Sequence, residues 1–147
     1  MLKERLAENI KTAMLAGDKP RAEVLRGLKA AILNEEVAKG VRDTGLPDDQ
    51  IQQVFAREVK KRLEAADLYA KAGRQELADT ENYQKGIIEE FLPQQLTNEQ
   101  LAEVVAAAIA ELGDGAHMGQ VIGAVRAKVG QSADGARIAA AVKQKVG

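Results

Sequence analysis

The stretch from Val54 to Pro93 constrains the fold more than any other part of the chain, because it predicts two helices joined at a glycine. Apolar side chains recur there at steps of three and four residues, the spacing of one helix face. Gly73 can adopt the left-handed conformation that ends a helix, and Pro93 prevents further helix. The first stripe comprises Ile51, Phe55, Val59, Arg62, Ala66 and Tyr69, and the second comprises Leu77, Ile87, Ile88, Phe91 and Leu92. We therefore predict an antiparallel helical hairpin.

Two further helices are predicted before the hairpin. The first ends near Gly17, and the second starts around Asp18 and Pro20 and ends at Gly40. A polar segment, residues 41–49, then leads into the hairpin and is expected to lie exposed. The apolar stripes expected to face the core are Leu2, Leu6, Ile10 and Met14 in the first helix and Leu25, Leu28, Ile32, Leu33 and Val37 in the second.

Three shorter helices are predicted after Pro93. Thr97 has the pattern of an N-cap residue, with Gln100 three positions later, so a helix should begin there. Gly113 is expected to end that helix. The last two helices are expected over residues 118–129 and about 134–146, on either side of Gly130.

Composition agrees with a wholly helical fold. The chain of 147 residues has no tryptophan, two tyrosines and two phenylalanines, so small and aliphatic side chains must fill its interior. We predict an all-α protein with a four-helix N-terminal subdomain over residues 1–93 and a three-helix C-terminal subdomain over residues 94–147. The alanine-rich second subdomain buries little area per residue, so we expect it to be the less stable one.

Composition also limits the possible chemistry. The chain has no cysteine, which excludes disulfides, thiolate metal sites and a cysteine nucleophile. His117 is its single histidine and Ser132 its single serine, and we expect both to lie at the surface or to cap helices. We therefore predict no catalytic residue, metal or cofactor. No apolar run is long enough to span a bilayer, and the simplest location is the cytoplasm.

The densest positive cluster consists of Arg57, Lys60 and Lys61, on the face opposite the apolar stripe. The formal net charge of −1 excludes bulk attraction to nucleic acid but permits a local patch. On spacing alone, such a cluster is more often a solvated helix face than a nucleic-acid interface. Arg62 lies on the apolar stripe and Glu81 lies in the next helix. We expect these two to form a partly buried ion pair rather than a catalytic pair.

Residues spread over the hairpin carry a family resemblance. They are Arg57–Arg62 (REVKKR), Tyr69, Ala72–Arg74, Leu77, Glu81, Leu92 and Pro93. In order and spacing this set resembles the GatB/YqeY family, specifically its free-standing YqeY-like proteins, and residues 117–146 are similar to the end of the GatB tail domain. Ala65 and Gln84 depart from the family pattern, which has serine and glutamate there, so we expect neither to take part in chemistry.

The resemblance implies a role in tRNA metabolism. GatB is the transamidating subunit of the tRNA-dependent amidotransferase, and its tail is a helical appendage that contacts tRNA away from the nucleotide and magnesium site. By resemblance, we expect this chain to bind tRNA, with aminoacyl-tRNA synthetases or amidotransferase subunits as candidate protein partners. The residues expected to contact phosphate are Arg57, Lys60, Lys61, Arg74, Arg126, Lys128 and Lys143.

Two other functions stay open on the sequence alone. The family name implies a carbon–nitrogen ligase with glutamine as amido-nitrogen donor, and that chemistry needs an activated carbonyl and a source of ammonia. The sequence has neither a phosphate loop nor a glutaminase nucleophile, so we expect no such activity from this chain by itself. An interaction module that docks another protein through the third helix or the C-terminal subdomain fits the apolar stripes equally well.

Overall fold

The computed structural model describes residues 1–146 and confirms the all-α prediction, since these residues contain seven α-helices and no strand. The chain divides into two compact units, Met1–Leu92 and a second that begins at Pro93. The helices are α1 (Leu2–Leu15), α2 (Lys19–Lys39), α3 (Asp48–Lys71), α4 (Gln75–Glu89), α5 (Asn98–Leu112), α6 (Met118–Val129) and α7 (Gly135–Val146).

The first unit is organised around the predicted hairpin of α3 and α4, which pack against each other along their length. Gly73 ends α3 in the left-handed conformation, with φ of +75°. The N–H of Arg74 then donates to the carbonyl of Tyr69 at 2.8 Å, which closes the turn. Helix α1 pairs with α2, and the rings of Phe55 and Phe91 meet edge to face in the core, with their centroids 6.0 Å apart.

Three side chains of α1 and α2 that were predicted to be buried are exposed. Met14 is 57% exposed, Leu33 41% and Val37 58%, while the buried positions of α1 and α2 include Ala13 and Glu36 instead. A helix offers neighbouring stripes of similar apolarity, and the helices that pack against it decide which stripe turns inward. The prediction for Leu77 was wrong for the same reason, because it lies at the exposed edge of its helix.

Each α-helix of the second unit begins with a side-chain cap. Thr97 and Gln100 form the predicted capping box of α5, in which each side chain bonds the other residue's backbone N–H. His117 caps α6 by accepting the N–H of Gln120, as predicted for a capping histidine. Asp134 accepts the N–H of Arg137 at 2.8 Å and so begins α7. The core of this unit contains Leu101, Val105, Ala108, Val121, Val125, Ile138 and Val142.

Residues 1–146 lack two kinds of feature. None of their helices combines the length and the apolarity that a membrane crossing requires. No group of three or more acidic or histidine side chains lies close enough together there to hold a metal ion.

Candidate nucleic-acid interface

The cluster on α3 is interleaved with carboxylates. The guanidinium of Arg57 lies 3.0 Å from the carboxylate of Glu35 on α2, and the ammonium of Lys61 lies 3.0 Å from that of Glu58. Lys60 is exposed and makes no salt bridge within residues 1–146. Of the three cations, Lys60 is therefore the one whose charge is not offset by a direct partner in this part of the chain.

Arg57 and Lys61 line a cleft of about 410 Å³ between α2 and α3. Glu35 and Glu58 line the same cleft, so its walls carry two positive and two negative side chains. The two cations are nevertheless exposed, and exposed ion pairs contribute only about 0–1 kcal/mol. Glu35 and Glu58 are only 23% and 16% exposed, so an anion that approaches Arg57 or Lys61 also meets a carboxylate.

Arg62 and Glu81 are brought together between α3 and α4. The Nε atom of Arg62 lies 3.6 Å from Oε2 of Glu81, which is longer than a hydrogen bond. Both atoms are buried and have no hydrogen-bond partner within residues 1–146. A second cavity of about 250 Å³ adjoins Arg62 and is lined also by Tyr83 and Gln84. Arg62 and Glu81 therefore attract each other through charge alone, inside a partly desolvated site.

Arg74 stands at the tip of the hairpin, just before α4, where it is exposed and makes no salt bridge within residues 1–146. It lies beyond the end of α3, about three helical turns or 16 Å from Lys60 along the axis. That spacing exceeds the distance between adjacent phosphates of one strand, so the two side chains would contact different phosphates.

Two cations of the second unit already have partners among the described residues, and a third makes no salt bridge there. Arg126 donates to the backbone carbonyls of Gly130 and Ala133, so it holds the connection from α6 to α7. Lys128 pairs with Glu111 at 2.8 Å. Lys143 is exposed and makes no salt bridge with any residue that the structure describes.

Arg137 was not among the predicted contacts, and it too is used within the second unit. Its guanidinium donates to the carbonyl of Leu96 at 2.6 Å and to the side chain of Asn98 at 3.0 Å. Arg137 therefore anchors the segment that enters α5. Sequence spacing could not reveal this role, because the acceptors lie about forty residues earlier in the chain.

Sequence reasoning also missed a second basic surface, on α2 and the segment that follows it. Arg26, Lys29 and Arg42 are exposed around a groove of about 630 Å³, and none of them makes a salt bridge within the described chain. Arg26 and Lys29 are three residues apart on α2, so their spacing on one helix face was a usable signal. We call this feature the α1–α2 groove.

Two comparisons with known proteins report what this chain is similar to. Residues 3–146 match the model of a family described as Yqey-like protein. The chain is also 30% identical over 87 residues to Altered inheritance of mitochondria protein 41, mitochondrial, from Eremothecium gossypii. That match covers 59% of this chain and 46% of the relative, so the chain spans about half of the relative's length. Since the family model covers nearly all of it, this chain belongs to the Yqey-like protein family.

Proposed function

We propose that this protein is a helical tRNA-binding module that acts beside aminoacyl-tRNA metabolism in the cytoplasm and does not form amide bonds by itself. The observation that carries the proposal is a pair of exposed cations without salt-bridge partners among the described residues on the hairpin of the first unit, namely Lys60 on α3 and Arg74 at the tip. Lys143 on α7 is a separate exposed cation of the second unit. The resemblance to the GatB tail supports tRNA as the ligand. Amidotransferase subunits or aminoacyl-tRNA synthetases are the protein partners that such a role implies.

Phosphate contacts suit this arrangement physically. Lysine and arginine on a rigid surface can fix the position of an RNA backbone without reading its sequence. Arg57 and Lys61 would join these contacts by exchanging a carboxylate for a phosphate, and a guanidinium binds both groups in the same forked geometry. Because the formal net charge is −1, binding must depend on the local placement of charge and must weaken steeply with salt.

Fluorescence anisotropy with labelled bulk tRNA tests the proposal. At low salt we expect a Kd below about 100 µM, since electrostatic attraction is strongest there. The double variant Lys60→Ala, Arg74→Ala should weaken binding and reduce the slope of log K against log salt by about one for each lost phosphate contact. Absence of binding at low salt contradicts the proposal.

A matched control removes the same amount of charge elsewhere. Lys11 and Lys19 are exposed, make no salt bridge within residues 1–146 and lie outside the proposed contacts. The variant Lys11→Ala, Lys19→Ala should therefore bind tRNA nearly as the native protein does. Equal losses in both double variants would indicate attraction by bulk charge and not by this surface. Amide formation by the purified chain with ATP, glutamine and glutamyl-tRNA would contradict the non-catalytic role.

A further inference from the structure

The α1–α2 groove has an apolar floor in which Ala7, Ala30 and Leu33 are exposed, while Leu6 and Ile32 are buried. Its volume is about 630 Å³. Leu33 belongs to the floor and is 41% exposed, although its type and position predict burial. The floor consists of Leu6, Ala7, Ala30, Ile32 and Leu33.

The rim of the groove is positive. Arg26, Lys29 and Arg42 line it and are exposed, and none of them makes a salt bridge with another described residue. The one carboxylate that lines the groove belongs to Glu36, and it already bonds Lys3 and a backbone N–H. Arg26 and Lys29 therefore face the groove without a salt-bridge partner among the described residues, whereas Arg42 lies near enough to Glu36 to contribute, after Lys3, to the lowered pKa of that carboxyl.

The apolar surface continues beyond the floor in both directions. Val37 follows Leu33 by one helical turn on α2 and is 58% exposed. At the other end Met14, 57% exposed, lines an adjoining cavity that shares Arg26 with the groove. Val37 and Met14 lie outside the groove itself, and they add exposed apolar surface at its two ends.

We propose that the α1–α2 groove docks an amphipathic, acidic helix of a partner protein. Apolar anchors of that helix would cover Leu33 and its neighbours, and flanking Asp or Glu side chains would meet Arg26, Lys29 and Arg42. On α2 the lining of the groove extends from Arg26 to Glu36, a span of about 15 Å. This length accommodates three turns of a helix with anchors at the first, fifth and eighth positions.

The lining of the groove favours a peptide over RNA. Phosphates can also contact exposed cations such as those of the rim, so the floor of the groove decides between RNA and a peptide. Aliphatic floor residues offer nothing to a phosphate or ribose. A second copy of this chain is also disfavoured at this face, because the two positive rims would meet each other.

A display library of helical peptides, selected on the full chain, tests the proposal. The library fixes leucine at the first, fifth and eighth positions and randomises the flanking positions. We expect enriched peptides to carry Asp and Glu at the flanks. Leu33→Glu should weaken their binding by about tenfold or more, as loss of a central anchor does. Arg26→Glu with Lys29→Glu should shift the selected flanks from acidic to basic.

Leu68→Glu is the matched control, since Leu68 is an exposed leucine on α3 that does not line the groove. It should leave peptide binding unchanged. Failure to enrich peptides, enrichment without acidic flanks, or binding that Leu33→Glu leaves intact would overturn the proposal. Because Leu33 is exposed, the Leu33→Glu variant should fold, and circular dichroism checks that it does.

Two other occupants are distinguished by the same variants. If Leu33→Glu splits a dimer detected by analytical ultracentrifugation, a second copy occupies the groove and the proposal is wrong. If Arg26→Glu with Lys29→Glu abolishes tRNA binding and no peptide is enriched, RNA occupies it. The proposed tRNA contacts at Lys60 and Arg74 are tested separately, so either proposal can fail without the other.

Discussion

The carboxylate of Glu36 accepts a hydrogen bond of 2.9 Å from the backbone N–H of Leu46 and also bonds the ammonium of Lys3. Glu36 is 4% exposed, the one charged side chain among the buried residues that the structure describes. A buried carboxylate is tolerated only when partners replace its water. Through these two bonds Glu36 joins α1, α2 and the segment that leads into α3, so it holds together three parts of the first unit.

Replacing Glu36 with alanine should destabilise the first unit. The change leaves the N–H of Leu46 buried without an acceptor, which costs about 1–3 kcal/mol. Urea unfolding followed by circular dichroism measures the loss. Glu35→Ala is the control, because Glu35 is more exposed and makes only surface ion pairs, with an expected cost below about 1 kcal/mol. Equal midpoints for the two variants would contradict this account of Glu36.

The stability of the first unit should fall in acid through Glu36. The hydrogen bond from Lys3, and after it the backbone N–H of Leu46, lowers the pKa of Glu36 below its ordinary value near 4.5. The folded state therefore favours the ionised form, and its contribution is complete above the unfolded pKa and disappears as pH falls through the lower folded pKa.

Melting temperatures of the native protein and of Glu36→Gln, measured between about pH 6 and pH 2, check this linkage. Glutamine keeps an acceptor for Leu46 but cannot titrate. We expect the native protein to lose more stability than the variant as the pH falls below about 4.5. Parallel curves would show that Glu36 does not contribute to the acid sensitivity.

Alanine substitution should change the stability of the first unit in opposite directions at two of its glycines. Gly45 has φ of +81°, and a Cβ there would lie 3.1 Å from Nζ of Lys3, so Gly45→Ala should destabilise by about 1 kcal/mol or more. Gly27 lies inside α2, and a methyl group added there would meet no neighbouring atom within 4 Å. Gly27→Ala should therefore stabilise by about 0.5–1 kcal/mol. Thermal unfolding of both variants shows whether the signs differ.

Helix ends were predictable from the sequence because their chemistry is local. Gly73 ends α3 through its own backbone conformation, and Thr97 begins α5 through a partner three residues away. The approximate bounds of the helices follow from such signals and from apolar periodicity. No distant residue has to be known for these predictions.

Burial and charge pairing were less predictable because they depend on distant residues. Glu36 can turn inward because Lys3 and the N–H of Leu46 supply partners for its carboxylate, and both lie outside α2. Leu33 stays exposed because none of the described helices covers its position on α2. The cluster at Arg57 likewise gains a carboxylate from α2, which spacing within α3 cannot reveal. Of the expected phosphate contacts, the sequence therefore located the exposed cations but not the carboxylates beside them.

Removal of the Arg62 guanidinium should destabilise the hairpin. Arg62→Ala removes the positive charge that lies 3.6 Å from the partly buried carboxylate of Glu81, and we expect the uncompensated charge to cost about 1–3 kcal/mol. Adding Glu81→Gln removes the orphaned charge and should recover part of that loss. Arg74→Ala, at an exposed position without a direct ion pair, is the control. An unchanged melting temperature for Arg62→Ala would show that the pair is not structural.

The second unit should depend measurably on the cap of α5. Thr97→Ala removes the oxygen that accepts the N–H of Gln100 and should cost about 1 kcal/mol, whereas Thr97→Ser keeps the acceptor and should cost much less. Hydrogen exchange of the full chain, followed by mass spectrometry, reports on each unit separately. Alanine should raise the exchange rate of the α5 amides about fivefold if those amides exchange by opening of the whole unit, since 1 kcal/mol corresponds to that factor. Faster exchange in α3 and α4 instead would place the effect of the cap outside the second unit and contradict the prediction.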